Sequence, residues 1–285
     1  MTHEDDYMKL ALSIDLEFWY SAELVRPYAN TDNDLIIEMT KPILDLLDYH
    51  ETRATFFVLG EVAEKYPDLI LEIYNKGHEI ASHSYSHRTI GELGRDEFES
   101  DIRKSKIILE RITGDKVIGF RAPTFSINNK TIWALDILEK LNFIYDSSIF
   151  PIKTPLYGIP NAPLHPYFPS RIDLSKEDML HGFKIKEIPL TVYRLCSLNI
   201  PISGGFYLRL FPSKLINHLI EKIKIDNYAV IYLHPWELIP IAPKVNLPFF
   251  SSWVTYYNID SASIKLKSLL RKFNFGTMEE IAVDM

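Results

Sequence analysis

Short apolar runs alternate along this chain with longer stretches in which apolar residues recur every three or four positions. Residues 8–14 are apolar and end in Asp15, which predicts a first strand. Leu35, Ile36, Met39, Ile43, Leu44, Leu46 and Leu47 make a helical stripe within residues 34–50. Residues 54–58, β-branched and aromatic, predict a second strand, and residues 61–75 a helix that Gly77 suits as a cap. A third strand follows at 79–82, a helix at 96–112 stopped by Gly114, and a fourth strand at 116–120. The spacing then predicts a helix over 128–141 and a fifth strand at 143–145. Residues 184–188 and 228–233 read as further strands, and 212–224 and 263–273 as helices. Two proline-rich stretches, 151–169 and 235–248, interrupt the pattern. Six prolines in the first exclude regular structure and predict an ordered, rigid loop.

Repeated strand–helix units imply an α/β fold with a mainly parallel sheet and helices outside it. Asp15, His83, Arg121 and His234 each sit just past the C-terminal end of a predicted strand. In a closed or nearly closed parallel barrel those ends surround one mouth. Residues from opposite ends of the chain would then share a site.

The chemistry at that mouth is specific as a set. Two of the nine histidines fall in His83-Ser84-Tyr85-Ser86-His87. Four residues apart, they can lie on one face of a helical turn and converge on a metal. Asp15 and Glu17 alternate across Leu16 and, on a continuing strand, point to one side. One carboxylate can then bind metal while the other stays free as a base. Glu17 with His83 and His87 makes a two-histidine, one-carboxylate set with open positions, which suits Zn²⁺, Mn²⁺, Fe²⁺ or Co²⁺. Arg121, in Arg121-Ala122-Pro123, can pair with a carboxylate and keep it ionised. His234, before Pro235-Trp236-Glu237, can donate a proton to a leaving amine. Alone, the Asp15–Glu17 and Arg121 segments read more simply as polar residues at strand ends, and His234 reads equally well as a hydrogen-bonded loop histidine; together with the histidine pair they are the parts of a metal-dependent hydrolase. His50, His78 and His218 read as polar loop residues. Ser203-Gly204-Gly205-Phe206-Tyr207 lacks the Lys-Ser/Thr of a phosphate loop. Its glycines suit close approach of backbone to a substrate, and Tyr207 and Trp236 offer aromatic faces to a sugar ring.

Length and charge narrow the picture further. The 285 residues fit one domain, 1–285, with no Gly/Ser linker and no internal repeat. A net charge of −7 disfavours a nucleic-acid partner. Lys265, Lys267, Arg271 and Lys272 recur at helical spacing and read as a solvated face. The acidic start, His3-Glu4-Asp5-Asp6, leads into no secretory core, and no segment reaches the roughly 18 apolar residues of a membrane helix. A cytoplasmic protein without a membrane span is expected, with self-association open. The single cysteine, Cys196, excludes an internal disulfide and, in an apolar stretch, reads as a buried small hydrophobe.

Thr55-Phe56-Phe57-Val58, Gly77-His78-Glu79-Ile80-Ala81-Ser82-His83, Arg121-Ala122-Pro123 and Leu233-His234 together resemble the polysaccharide deacetylase family, which includes chitin and peptidoglycan deacetylases. A branch associated with bacterial exopolysaccharide export (exosortase systems) is similar in Tyr145-Asp146-Ser147-Ser148-Ile149-Phe150-Pro151, Tyr157-Gly158-Ile159-Pro160, Leu233-His234-Pro235-Trp236-Glu237 and Phe275-Gly276-Thr277-Met278. The resemblance implies a distorted (β/α) barrel of mainly parallel strands. It implies Asp15 as catalytic base, His83 and His87 as metal histidines, Arg121 as the residue orienting the base, and His234 as catalytic acid with Asp146 as its partner. Many members carry the metal carboxylate directly after the base; this chain has Leu16 there, and Glu17 takes the part. The implied activity is metal-dependent removal of N-acetyl groups from an amino-sugar polymer or oligosaccharide, with zinc first among the metals. Hydrolysis of a small amide or imide, or carbohydrate binding without catalysis, are the alternatives. The presence of both Asp15 and His234 argues against the last, since neither is needed merely to hold metal.

Overall fold

The computed structural model describes residues 9–30, 33–223 and 228–283. Met8 and Lys224, expected ends of a strand and a helix, lie outside the described residues, as do residues 3–6. In chain order the strands are β1 (Lys9–Leu16), β2 (Thr55–Val58), β3 (Glu79–Ser82), β4 (Gly119–Phe120), β5 (Tyr145–Asp146) and β6 (Lys186–Glu187). A hairpin of β7 (Val192–Leu195) and β8 (Leu198–Pro201) precedes β9 (Tyr228–Leu233). Seven of them form one all-parallel sheet in the order β6-β5-β4-β3-β2-β1-β9. Its edges meet without a ladder. Just past β6, Thr191 Oγ1 accepts the Val230 N–H at 2.6 Å and the Pro189 carbonyl accepts the Tyr228 hydroxyl at 3.2 Å. The alternation of strands and helices thus gives the distorted (β/α) barrel it predicts.

Strand parity decides what the barrel holds, because successive side chains point to opposite faces. Leu10, Leu12, Ile14 and Leu16 of β1 pack in the core beneath the helices, with Phe56, Val58, Ile80, Phe120, Ile231 and Leu233. Ala11 belongs to a second core that includes Phe57, Ala81, Tyr145, Val230 and Tyr232 and fills the barrel. Asp15 shares the Ala11 face near the end of β1, and extending β3, β4 and β9 by one residue turns His83, Arg121 and His234 to the barrel side. Each arrives where its strand runs out.

The helices are α1 (Ile36–Tyr49), α2 (Gly60–Lys65), α3 (Pro67–Asn75), α4 (Ile90–Thr113), α5 (Trp133–Lys140), α6 (Gly205–Leu210), α7 (Ser213–Lys222), α8 (Pro235–Leu238), α9 (Phe249–Tyr256), α10 (Ser261–Leu270) and α11 (Met278–Val283). The helix expected over 61–75 is two helices. Pro67 drives Tyr66 out of the helical region (φ −129°, ψ 57°) and opens α3. α4 starts six residues before the expected 96, from a capping box between Thr89 and Glu92, and kinks at Gly94. No helix among the described residues is long and apolar enough to cross a membrane.

Three polar readings are corrected. Cys196 is exposed at the β7–β8 turn, where it adopts φ 55°; the flanking leucines are exposed too. Lys265 does not belong to a solvated face: its Nζ donates to the carbonyls of Leu208, Arg209 and Phe211, capping the C-terminal end of α6. His78 is buried, and its Nδ1 accepts the Ala54 N–H at 3.2 Å.

Burial lowers the His78 pKa to about 4 from 6.5. The unfolded chain therefore takes up a proton through this window while the folded chain does not, and stability rises with pH between the two values. His78 is expected to cost up to about 3 kcal/mol as pH falls from 6.5 to 4. Urea midpoints across that range should fall more steeply for the wild type than for His78→Asn, which keeps an acceptor for Ala54. Equal slopes would remove His78 from the acid sensitivity.

Candidate active site

Glu17, His83 and His87 offer one carboxylate oxygen and two imidazole nitrogens within 4.8 Å of one another, and all three residues are buried. The His83 Nδ1 bonds to the Arg121 carbonyl at 2.9 Å, which turns Nε2 toward Glu17 Oε2 at 3.9 Å. His87 Nε2 contacts the same oxygen. The pentapeptide is not the helical turn its spacing suggests. Ser84 (φ 71°) and His87 (φ 53°) are left-handed, and the bend they make brings the imidazoles to 5.3 Å between ring centroids. Asp101 of α4 pins the bend through the Ser84 hydroxyl and the Tyr85 N–H, and the start of α2 donates to the Ser84 carbonyl. Only glycine fits at position 60, where a Cβ would lie 2.6 Å from the Tyr85 ring.

Burial lowers the His83 pKa to about 4, leaving a neutral imidazole with a lone pair. Burial alone would raise the Glu17 carboxyl, but His87 and His234 outweigh it and hold the group at about 2. An anionic carboxylate, a neutral imidazole and a second imidazole on one focus fit a divalent cation.

Beside this set, Arg121 NH1 donates to Asp15 Oδ1 at 2.6 Å and to Ser13 Oγ at 2.9 Å. Its Nε and NH2 donate to the Ser147 carbonyl and hydroxyl, both at 3.0 Å. Arg121 is fully buried against the Phe57 ring. It fixes one oxygen of Asp15 and leaves the other, Oδ2, facing His234 Nε2 at 3.9 Å.

His234 Nε2 also lies 3.7 Å from Glu17 Oε1, while its Nδ1 bonds to Glu237 Oε2 at 2.8 Å. Glu237 in turn accepts from Arg209 NH2 at 3.0 Å. Arg209 is buried and anchored by the carbonyls of Gly205, Val254, Thr255 and Tyr257. Gly205 matters to this chain of contacts: a Cβ there would lie 2.0 Å from the Glu237 carboxylate. The glycine pair therefore lets backbone approach Glu237 and Tyr232, rather than a substrate as its sequence suggests. Burial opposes the charge on His234, but Glu17, Glu237 and Asp15 raise its pKa to about 9. The imidazole is protonated at neutral pH.

Asp146 is not the partner of His234. Tyr145 and Ser147 face the barrel, so parity turns Asp146 outward, opposite Glu187 in the β5–β6 register. There it accepts from the Ser148 hydroxyl. Burial and the neighbouring Asp146 push the Glu187 carboxyl well up, and the pair holds a proton. Glu237 and Arg209 were missed as functional residues by sequence reasoning. Glu237 carried a usable signal, lying three residues after His234 at the start of a short helix; Arg209 carried none.

Asp15, Glu17, His83, His87, Arg209, His234 and Glu237 line one cavity of about 530 Å³. Tyr207 lines its wall from α6. Trp236 lines it too but stacks on His234 (centroids 5.4 Å) and points Nε1 at Glu17 Oε1, 3.5 Å away. One of its faces is therefore taken by the imidazole. His50 is half-buried at the end of α1, and His218 is exposed on α7.

Comparison with known proteins accounts for most of the chain in two parts. Residues 29–143 match the family described as polysaccharide deacetylase, and residues 147–283 match a domain of unknown function, DUF3473. A peptidoglycan-N-acetylglucosamine deacetylase of Bacillus cereus is 41% identical over 101 residues, 35% of this chain and 37% of that protein. The peptidoglycan-N-acetylmuramic acid deacetylase PdaC of Bacillus subtilis is 34% identical over 91 residues, 32% of this chain and 20% of its own length. The chain thus spans well under half of these relatives. A candidate polysaccharide deacetylase of Mycobacterium smegmatis shares the fold over 99% of this chain and 91% of its own, with a TM-score of 0.61 at 19% identity. The likeness to the polysaccharide deacetylase family is thus carried by residues 29–143 of this chain.

Proposed function

We propose that this protein is a metal-dependent hydrolase that removes N-acetyl groups from amino sugars of a glycan, with Asp15 as base and His234 as acid. The observation that carries the reading is the convergence of three differently tuned units on one cavity: the Glu17–His83–His87 donor set, the Arg121-held Asp15, and the His234–Glu237–Arg209 chain. A divalent cation, zinc by preference for two imidazoles and a carboxylate, would supply Lewis acidity to the acetamide carbonyl and to water. Asp15, with Oδ1 committed to Arg121, keeps Oδ2 free to take a proton from attacking water. His234 holds the proton that the departing amine needs, because Glu237 takes its Nδ1–H and leaves Nε2–H directed at the carboxylates. Acetate and a free amino sugar are the products. The motif resemblance around Asp146 and Trp236 favours an exopolysaccharide as the glycan.

Acetate release from N-acetylated glycosides, measured with zinc, manganese or cobalt added, tests the reading; no release with any metal retires it. Within it, Glu237→Gln removes the anion between His234 and Arg209. The His234 pKa in the metal-free variant should fall by about 1–3 units, read by NMR titration of the imidazole. The alkaline limb of the kcat profile should move the same way. An unmoved titration would detach Glu237 from the acid.

A further inference from the structure

A row of aromatic rings leads from solvent into the cavity. Phe250 and Trp253 of α9 are 63% and 39% exposed. Trp253 contacts Phe206 (5.1 Å, 74°), Phe206 contacts Tyr207 (5.3 Å, 70°), and Tyr207 contacts the fully buried Phe150 (6.1 Å, 89°). Phe250, Trp253, Phe206 and Tyr207 all line the cavity, and Leu24 and Leu156 line it as well. The rings meet edge to face, so they form the walls of a groove and not the flat platform that stacks on a pyranose. Two polar side chains in the same lining are already engaged. Thr154 Oγ1 is used in its own turn with Leu156 and Tyr157, and Glu23 takes Thr124 and Arg26. A sugar beyond the one at the metal set would bury hydroxyls against these rings with those two side chains already bonded elsewhere, whereas a hydrocarbon chain gains from burial.

We infer that this row of rings is a subsite for an apolar chain carried by the substrate, making the substrate class an N-acetylated amino sugar joined through its glycosidic oxygen to an alkyl or polyprenyl-type lipid. The inference rests on the deacetylase reading above and specifies its substrate. Continuity supports it: the rings run without a break from the exposed face of α9 to the cavity that holds Asp15 and His234. Arg209 joins the two ends, since it donates both to Glu237 and to carbonyls of α9.

The test compares methyl, hexyl and octyl β-glycosides of N-acetylglucosamine, kept below micelle formation, with chitotetraose as the sugar-only arm. On the metal-loaded enzyme, kcat/KM should rise with alkyl length by about fourfold per buried methylene, so that three buried methylenes give roughly 60-fold. Phe250→Ser and Trp253→Ser alter exposed side chains, and each should shrink the octyl-to-methyl ratio. A flat ratio, a ratio insensitive to both substitutions, or a chitotetraose preference lost in the same variants would overturn the subsite. If no glycoside releases acetate, the deacetylase reading fails instead, and binding judges the groove alone. Octyl β-glucoside, which has no acetamide, should shift tryptophan emission saturably in the wild type and not in Trp253→Phe. No shift in the wild type overturns the inference.

Discussion

Asp15→Asn is expected to lower kcat by about 10²–10⁴-fold while the protein still binds its metal. An amide cannot take a proton from water, yet it preserves the size of the group and an oxygen for Arg121. Glu17, His83 and His87 are untouched by the change, so occupancy measured by elemental analysis should match the wild type. Stability will fall as well, because Arg121 is fully buried and loses its anion. Its bonds to Ser13 and Ser147 remain and limit the loss. Removing Arg121 itself is the harsher change. It strands Asp15 in a buried site, and a broken buried pair costs about 3–5 kcal/mol. Kinetics of Asp15→Asn are therefore compared below the unfolding transition of the variant. Near-normal turnover at saturating metal would take the base role from Asp15.

The legible part of this chain is the part governed by local periodicity. Apolar runs mark β1, β2, β3 and β9, and the residue that breaks the run in β1, β3 and β9 is a site residue: Asp15, His83 or His234. That link is physical. A barrel interior tolerates polar side chains where its strands open to the mouth, so the end of an apolar run and the start of chemistry coincide. What stayed hidden depends on contacts between distant segments. Arg209 reads as a helix residue until its donors are seen on Glu237 and on two α9 carbonyls. Asp146 matches a family position, but parity sends it behind the sheet, and a local turn supplies Glu237 instead. The bend at Ser84 and His87 could not be read from a four-residue spacing, since both residues adopt left-handed backbone and Asp101 grips the bend at Ser84 and Tyr85. The hairpin tip at Cys196 was hidden for a simpler reason: exposed leucines beside it imitate a core segment.

Glu17→Gln, His83→Ala and His87→Ala are each expected to abolish stable metal binding and, with it, all measurable acetate release. Each removes one of three donors on a buried focus, and a remaining pair of donors holds a divalent cation poorly. Glu17→Gln is the most informative of the three. It keeps the shape of the side chain, so circular dichroism and the urea transition should show a folded protein. It also removes the largest contribution holding His234 protonated, so the His234 titration in the metal-free variant should move below its wild-type position near 9. Metal loss and the downward pKa shift are independent readouts, and both come from the same carboxylate. Set against Asp15→Asn, the outcome separates the two acidic residues: one variant holds metal without turning over, the other holds none. Unchanged metal content in Glu17→Gln, or loss of metal in Asp15→Asn, would exchange their roles and place the metal on the carboxylate that Arg121 holds.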